Sequence, residues 1–312
     1  MFPLQHYLKE IHMQSIVQTN FTGIDGLIIR NEPRPALTDN GVLIAMETLP
    51  VVPSDWHKET DPNATAEQAL QLPRVIGIGG VGTVIEVGHN RDQKLLHQRV
   101  LVMHPKGSYQ EFILNTNSDW LFPLPINVSN AEAATLTAGP GVALALTEFI
   151  KQNPSDHLVI TGANSVIGLI LCQLLGSTYP GLTPIVSPDS QAYFNQSLPG
   201  YPVYSIEHLQ LFHGRTLIID IAGSEPLLQQ LIAAVPRASI ASIALQTSNL
   251  NVPFTFVHED FNHQIYCHLI KTVASHKLWL PIGRIFSFAE TKKAQHYAKD
   301  HHSRGRVLVN LN

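Results

Sequence analysis

The sequence predicts an α/β protein that combines a β-rich, partly open barrel with a doubly wound parallel sheet. Between Met13 and about Pro125, short apolar runs alternate with clusters of Pro, Gly, Asn and Asp, a pattern typical of strands joined by turns. After Asn153, short buried strands alternate with helices, which favours a parallel sheet with helices on both faces.

In the β-rich part, apolar runs predict strands at Leu27–Ile29, Val42–Ala45, Val84–Val87 and Arg99–Met103. Helical sequence begins at Ser129, which is followed by Glu132 and so has the pattern of a helix cap with an acidic first turn. Gly139-Pro140-Gly141 interrupts this helix, and Val142–Ile150 predicts a second one.

In the second part, strands are predicted at Leu158–Ile160, Pro184–Val186, Leu217–Ile221 and Ala238–Ala244, and helices at Leu169–Leu175 and Leu227–Ala234. From Phe261 the sequence returns to mixed structure, with a helix to about Ser275, a helix near Ala289–Lys299 and a strand at Arg306–Val309. This order predicts a nucleotide-binding domain inserted between two parts of a β-rich domain.

Composition excludes several classes of protein. Only 14% of the 312 residues are charged and 44% are hydrophobic, so a disordered chain is a poor interpretation. The 20 Lys and Arg against 24 Asp and Glu form no basic stripe, so nucleic acid is not an expected partner. Two cysteines cannot build a disulfide framework, and no apolar run approaches the roughly 18 residues of a membrane span. We therefore expect a soluble, cytoplasmic protein without a membrane partner.

Residues 1–12 precede the first predicted strand, which opens at Met13. They include Lys9 and Glu10 and no long apolar stretch, so they do not have the pattern of a secretory signal. We expect an extra N-terminal segment with no catalytic role.

A glycine-containing turn lies where a predicted strand ends and a helix begins. Its residues are Gly162, Ala163, Asn164, Ser165, Val166, Ile167 and Gly168. Small residues at such a turn let the backbone approach a pyrophosphate, whose charge is stabilised by the amides of the helix N-terminus. Ser165 replaces the middle glycine of the usual fingerprint, and the bare pattern also fits a tight turn in a helix-on-sheet core. The surrounding strand–helix–strand sequence favours a cofactor site.

Several further segments occur in a characteristic order: Val42-Leu43-Ile44, Pro53-Ser54-Asp55-Trp56, Pro73–Gly77, Gly80–Gly88, Gln98-Arg99-Val100, Gly107–Phe112, Gly168–Leu174, Asp220–Gly223 and Ser303–Leu308. With the glycine turn, they resemble the medium-chain dehydrogenase/reductase superfamily, in particular its zinc-free quinone and enone reductase branch. The resemblance implies a GroES-like catalytic domain formed by residues 13–135 and 260–312, and a Rossmann nucleotide-binding domain at residues 136–259.

The resemblance also implies a nicotinamide cofactor held by the glycine turn, by Ser187 and by Ala222-Gly223. Ser187 follows a predicted strand at the place where an acid usually holds the ribose hydroxyls of NAD. A serine there can bond a 2′-phosphate, so we expect NADPH. NADH is the alternative, because no Arg or Lys follows before Tyr204 and Asp189 can serve the ribose.

The resemblance places Val52, Trp56 and Val142 at the substrate cleft, which is therefore expected to be largely apolar. Val52 replaces the asparagine usual in this branch, and Val142 replaces a threonine. Where zinc-dependent relatives hold their metal, this chain has Val52, Ile78 and Gly79, which carry no donor atom for zinc. We expect no bound metal.

Candidates for a general acid are few. His57 and Lys58 follow the Pro-Ser-Asp-Trp turn, and Tyr109 lies on a predicted barrel segment, but each also fits a surface or packing role. Cys172 and Cys267 are interpreted as small buried hydrophobic residues, and a Gly-x-Ser-x-Gly elbow is absent from the sequence. The cluster of His296, His301 and His302 is interpreted as a solvated helix end.

These observations predict a zinc-independent, NAD(P)H-dependent oxidoreductase that reduces quinones or activated C=C bonds of enones and enals. Its expected partners are a small-molecule hydride acceptor and a second copy of the chain, as a homodimer. An enoyl-thioester reductase is the first alternative, because Ala163-Asn164-Ser165 resembles the cofactor turn of that branch, although no tyrosine lies between Trp56 and Ala66. A non-catalytic nucleotide-binding sensor or structural protein is the second, favoured by the replacements at Val52 and Val142.

Overall fold

The computed structural model describes residues 12–204, 206, 209, 212–300 and 304–311, which divide into two compact units. Unit 1 contains the described residues of Met1–Ala138, His263–Ala274 and Ile282–Asn312, and unit 2 those of Gly139–Asn262 and Ser275–Pro281. The inserted domain predicted at residues 136–259 corresponds to the main segment of unit 2, Gly139–Asn262. Each predicted bound lies three residues earlier than the observed one. Of the predicted extra segment 1–12, only His12 is described, and it is the first residue of a strand.

Up to Ala138, unit 1 consists mainly of strands: β1 (His12–Gln18), β2 (Leu27–Pro33), β3 (Val42–Pro50), α1 (Pro53–Glu59), α2 (Ala66–Leu70), β4 (Arg74–Val75), β5 (Gly79–Val87), β6 (Arg99–Met103), β7 (Phe112–Asn115), β8 (Leu121–Pro123) and α3 (Asn130–Leu136). Unit 2 alternates helices and strands: α4 (Pro140–Gln152), β9 (His157–Ile160), α5 (Val166–Leu175), β10 (Leu182–Pro184), α6 (Pro188–Ser197), β11 (Thr216–Asp220), α7 (Glu225–Ala234), β12 (Ala238–Ser242) and β13 (Phe254–Phe256). The chain then returns to unit 1 with α8 (His263–Ala274), β14 (Ile282–Ser287), α9 (Thr291–Asp300) and β15 (Arg306–Asn310).

Unit 1 is built around a seven-stranded sheet in the order β14-β15-β3-β5-β6-β8, with β7 also paired to β3. β3 runs antiparallel to β5, β7 and β15. Side chains from both ends of the chain, including Ile44, Val84, Val100 and Val307, are buried in one hydrophobic core. The C-terminal strands therefore complete a sheet that the N-terminal part begins.

Unit 2 contains a five-stranded sheet in the order β10-β9-β11-β12-β13, and all of its pairs are parallel. From β9 the chain moves to β10 on one side, and from β11 it moves to β12 on the other. In open parallel sheets, the carboxyl ends of two such central strands form the crevice where ligands bind. The topology therefore predicts a ligand site at the turns that follow β9 and β11.

Some predicted boundaries shift for local reasons. The second predicted helix, Val142–Ile150, begins earlier as α4, because Gly139 with φ +110° forms the N-cap and Pro140 is accommodated in the first turn. The predicted strand Ala238–Ala244 ends at Ser242, because the Ser242 hydroxyl accepts hydrogen bonds from the amides of Ala244 and Leu245 and closes a turn. The predicted strand Pro184–Val186 is observed as β10, slightly earlier in the chain.

None of the described helices is by itself long and apolar enough to cross a membrane. The consecutive helices α3 and α4 reach that length and composition only when they are taken together across the break between them.

Candidate active site

The glycine turn after β9 forms a tight backbone cradle. Gly162 has φ +60°, a left-handed conformation that favours glycine. A Cβ added at Gly168 would lie 2.5 Å from the Gly162 carbonyl oxygen and 2.6 Å from the Ala163 Cα. The first turn of α5 can therefore approach the preceding loop only because residue 168 has no side chain.

Ser165 is the N-cap of α5. Its Oγ accepts a hydrogen bond from the Gly168 amide at 3.0 Å, and its own amide donates to the Gly162 carbonyl oxygen at 2.9 Å. The serine thus closes the turn by capping the helix, so the middle glycine of the usual fingerprint is not needed for the backbone path. Amides at a helix N-terminus beside a glycine turn fit the pyrophosphate of a dinucleotide.

A second turn, which follows β11, lies directly beside the first. Gly223 has φ +65°, and the Ala222 amide donates a hydrogen bond to the Thr161 hydroxyl at 3.2 Å. A Cβ added at Gly162 would lie 3.2 Å from the Ala222 amide nitrogen. The structure therefore brings together two of the sequence-predicted cofactor segments, and it adds Thr161, which directly precedes the residues predicted to bind the cofactor.

Ser187 follows β10 and is the N-cap of α6. Its Oγ donates a hydrogen bond to the Ser190 Oγ at 3.0 Å, and Asp189 lies in the first turn of the same helix. Because β9, β10 and β11 are parallel neighbours, Ser187 emerges at the same edge of the sheet as the two glycine turns.

In unit 1, the Pro-Ser-Asp-Trp segment forms the start of α1. Val52 is its N-cap, and its amide donates a hydrogen bond to Asp55 Oδ2 at 3.0 Å. Trp56 is 8% exposed and belongs to the hydrophobic core of the unit, so it fills the core. His57 and Lys58 are exposed. Val142, the other predicted cleft residue, lies near the start of α4 in unit 2.

Tyr109 is a core residue and a poor proton donor. Its side chain has no exposed surface, and its hydroxyl donates a hydrogen bond to the Pro50 carbonyl oxygen at 2.9 Å. Burial raises the pKa of this phenol well above its ordinary value, and the nearby Asp55 and Glu59 raise it further. Of the two roles considered for Tyr109, this geometry fits packing better than proton donation, because the hydroxyl already donates to Pro50 and is shielded from solvent.

Two acidic side chains of α1, Asp55 and Glu59, are buried on one side of the helix. Burial raises the pKa of Asp55 to about 7, against the lowering effect of its hydrogen bond from Val52. Burial also raises the pKa of Glu59, whose Oε1 accepts a hydrogen bond from Gln295 Nε2 at 3.0 Å. The other carboxylate oxygen of Glu59 has no hydrogen-bond partner among the described residues.

Both acids line a cavity of about 280 Å³ in unit 1. Its remaining lining residues are Lys58, Gln71, Arg74, Val75, Ile76, Gly77, Ile78, Pro105 and Lys106. Three cations and two buried acids therefore face one space. This charged cavity is not predictable from the sequence, because its lining residues are scattered from α1 to the segment after β6.

Asp55 leads to a pH prediction. Its pKa in the folded protein is about 7 against an ordinary 3.8, so the folded state holds its proton after the unfolded chain has lost it. The stabilising contribution is therefore complete below pH 3.8 and is lost as the pH rises to about 7, on the order of 4 kcal/mol in total.

We expect Asp55→Asn, which stays neutral, to remove this dependence. The test is urea unfolding of the wild type and the variant at pH 4 and pH 8. The difference between their free energies of unfolding is then compared at the two pH values. The wild type should lose stability relative to Asp55→Asn on going to pH 8. A difference that does not change with pH would contradict the assignment.

Val52, Ile78 and Gly79, at the positions where related dehydrogenases hold zinc, all lie in unit 1. Gly79 begins β5, where its amide donates a hydrogen bond to Ser108 Oγ at 3.0 Å, and Ile78 lines the cavity. In the part of the chain that the structure describes, no group of three or more His, Cys, Asp and Glu side chains could hold a metal ion. His296 pairs with Asp25 at 2.9 Å, and His301 and His302 lie outside the described residues.

The two cysteines differ from each other. Cys172 is fully buried in α5, and burial raises the pKa of its thiol to about 12, so it is an inert core residue. Cys267 is only half-buried, and its Sγ lies 3.3 Å from His263 Nε2, one turn earlier in α8. The expected small buried hydrophobic role thus describes Cys172 better than Cys267.

No protein-family model matches this chain. A mitochondrial enoyl-[acyl-carrier-protein] reductase of Arabidopsis thaliana is 30% identical over 146 residues, which are 46% of this chain. The match spans only 38% of the length of that relative.

Solved structures match over nearly the whole chain. A quinone oxidoreductase of Coxiella burnetii has a TM-score of 0.79 and 21% identity, covering 96% of this chain and 100% of its own. A thermostable alcohol dehydrogenase of Pyrobaculum aerophilum has a TM-score of 0.77 and 13% identity, covering 96% and 99%. The predicted α/β fold class is confirmed, and the resemblance to the medium-chain dehydrogenase/reductase superfamily is confirmed at the level of the fold.

Proposed function

We propose that this protein is an NAD(P)H-dependent oxidoreductase that reduces quinones or the activated C=C bonds of enones and enals without zinc. The observation that carries the proposal is the cradle after β9, where Gly168 leaves no room for a Cβ and Ser165 caps the helix. This backbone fits the pyrophosphate of a dinucleotide. When bound, a reduced nicotinamide supplies a hydride, and the protein supplies position and electrostatics.

The turn from Gly162 to Gly168 would hold the pyrophosphate, with Ala222 and Gly223 beside it. Ser187 would lie near the adenosine ribose and bond the 2′-phosphate of NADPH, which we prefer to NADH. Asp189, in the first turn of the same helix, is the residue that would favour NADH.

The choice of acceptor rests on the side chains at the zinc positions of related dehydrogenases. Val52, Ile78 and Gly79 carry no S, N or O side-chain donor for a metal that could polarise a saturated alcohol. A conjugated acceptor has no such requirement, because conjugation makes its carbon electrophilic and spreads the incoming charge.

Reduction of an enoyl thioester is the second candidate activity. Two observations favour it. The chain is 30% identical to an enoyl-[acyl-carrier-protein] reductase over 46% of its length, and the cations Lys58, Arg74 and Lys106 line the cavity of unit 1. Three cations suit a phosphate-bearing carrier. The stretch from Trp56 to Ala66 contains no tyrosine acid, so we rank this activity second.

The same proposal includes a small-molecule acceptor as the partner, a cytoplasmic location and a homodimer. Strand β13 is at an edge of the parallel sheet, and the side chain of Phe256 on it is 37% exposed. An exposed edge strand can pair with the same strand of a second copy.

A side-by-side assay tests the proposed reaction. We expect the purified protein to oxidise NADPH with small quinones, enones or enals, and to oxidise simple primary alcohols with NADP⁺ negligibly. A further arm of the assay uses short-chain enoyl thioesters of a phosphate-bearing carrier. In that arm, Lys106→Ala should lower kcat/KM only if the phosphate of the carrier binds at the cavity of unit 1.

Each outcome of that assay has a distinct meaning. Alcohol oxidation that exceeds quinone and enone reduction would refute the mechanism. A clear preference for thioesters would favour the second candidate. Tight cofactor binding with no turnover of any acceptor would favour a non-catalytic nucleotide sensor.

A further inference from the structure

We propose that Asp220 is a positioning residue that holds three turns at the carboxyl edge of the parallel sheet in the arrangement needed for cofactor binding. This inference rests on the proposed function. Asp220 is the last residue of β11, and its side chain has no exposed surface. It is not in either glycine turn, and its effect would pass entirely through hydrogen bonds to the segments around it.

The first link joins Asp220 to the end of β9. Asp220 Oδ1 accepts a hydrogen bond from the Thr161 hydroxyl at 2.9 Å. The same hydroxyl oxygen accepts from the amides of Ile221 and Ala222, at 3.1 and 3.2 Å. Because the Thr161 hydroxyl donates its proton to the carboxylate, the lone pairs of its oxygen are oriented toward these two amides. Asp220 thereby ties the strand before the glycine cradle to the turn after β11.

The second link closes that turn on itself. Asp220 Oδ1 also accepts from the Gly223 amide at 3.0 Å, while Gly223 has φ +65°. A carboxylate oxygen that receives the amide three residues further along closes the turn and fixes the path of the residues between them. The amides of residues 221 to 223 are therefore all held, directly or through Thr161, by one carboxylate.

The third link reaches the end of β12. Asp220 Oδ2 accepts a hydrogen bond from the Ser242 hydroxyl at 2.8 Å. The Ser242 oxygen in turn accepts from the amides of Ala244 and Leu245, at 3.1 and 2.9 Å. As with Thr161, the carboxylate takes the hydroxyl proton and leaves the oxygen free to receive backbone amides.

The three links require a side chain at residue 220 that accepts hydrogen bonds on both of its terminal atoms. Both hydroxyl oxygens already accept amides, so each must give its proton to an acceptor. An amide side chain at residue 220 would offer one acceptor oxygen and one NH₂ group with two donors, and that NH₂ group would face a hydroxyl or an amide that is itself donating. Asp220→Asn is therefore nearly isosteric but mismatched in hydrogen bonding.

The consequence for the cofactor follows from how closely the turns pack. Ala222, which Thr161 holds, lies so near the cradle that a Cβ added at Gly162 would be 3.2 Å from its amide nitrogen. If the turn after β11 shifted, it would therefore displace the turn that would receive the pyrophosphate. Cofactor affinity would then depend on the acceptor oxygens of a residue that does not touch the cofactor.

Fluorescence titration of NADPH and NADH into the full-length protein tests this. We expect Asp220→Asn to raise the Kd by about tenfold or more, since it removes one of the two acceptor oxygens that hold the turns. Thr161→Val should weaken binding in the same direction, and Thr161→Ser, which keeps the hydroxyl, should restore it. Under turnover, the KM for the cofactor should rise more than kcat falls.

Thr216 provides the matched control. It lies at the opposite end of β11, is 1% exposed, and its hydroxyl has no hydrogen-bond partner among the described residues. Thr216→Val should leave the Kd unchanged. If Asp220→Asn does not fold, the comparison of Thr161→Val with Thr161→Ser decides the matter in its place.

The outcomes separate this inference from the proposed function. A wild-type protein that binds the cofactor, with variants at residues 161 and 220 that bind it equally well, would overturn only the role of Asp220. Weakening by Thr216→Val to the same extent would also overturn it, by showing a general effect of altering β11. A wild-type protein that binds neither NADPH nor NADH would overturn both.

Discussion

Replacing Gly168 by leucine is expected to abolish the binding of NADPH and NADH while leaving most of the protein folded. Even a Cβ at this position would lie 2.5 Å from the Gly162 carbonyl oxygen and 2.6 Å from the Ala163 Cα. These are backbone atoms of the turn itself, so the overlap can be relieved only by moving the turn away from α5. We expect the affinity measured by calorimetric titration to fall by about a hundredfold or more.

The control for this prediction is Gly200→Ala, which is also in unit 2. Gly200 has φ +89° and nothing within 4 Å of an added Cβ, so alanine there brings backbone strain without a steric clash. We expect a loss of stability of about 1–2 kcal/mol and an unchanged cofactor affinity. Unchanged affinity in Gly168→Leu would instead show that the turn after β9 does not hold the cofactor.

The alternation of strands and helices in unit 2 could be predicted because strands of a buried parallel sheet are continuous apolar runs. The run Leu217–Ile221 differs from the observed β11 by one residue at each end. The glycine turn could be predicted for a similar reason, since a left-handed residue and a close backbone approach both require glycine.

The Asp220 network could not be predicted in this way. Its members are far apart in the sequence and are brought together by the register of three parallel strands, in which Ile219 is level with Ile160 and Asp220 with Ser242. A polar residue near the end of an apolar run has the same sequence pattern whether it faces solvent or holds three turns. The only sequence signal was the Asp220–Gly223 segment as a whole.

Tyr109 and the charged cavity show the same limit in unit 1. A tyrosine on a strand has the same local sequence pattern whether its hydroxyl reaches a cleft or, as here, donates to the carbonyl oxygen of Pro50. Arg74 and Lys106 share a cavity with Asp55 only because separate strands and loops pack around α1. Hydrophobic periodicity reports burial of a face and does not report which polar groups meet.

Arg306 is the clearest case of a buried polar residue on which unit 1 depends. It lies on β15 and is 7% exposed, and its guanidinium donates to the carbonyl oxygens of Val51 at 3.1 Å and Ala138 at 2.7 Å. Burial lowers its pKa to about 10, and Asp55 and Tyr109 partly oppose that shift. It remains a cation at neutral pH and connects the C-terminal strand to the residues just before α1.

We expect Arg306→Leu to destabilise unit 1 by about 3–5 kcal/mol, because two carbonyl oxygens lose their donor and the buried Asp55 loses a nearby positive charge. Amide hydrogen exchange of β3 and β15 measures the effect in unit 1, separately from unit 2. Arg30→Leu is the matched control: its side chain is 40% exposed and pairs with Glu32 at 3.5 Å, so less than about 1 kcal/mol should be lost. Equal effects of the two substitutions would show that Arg306 contributes no more than a surface ion pair, and that the contacts to Val51 and Ala138 do not stabilise the sheet.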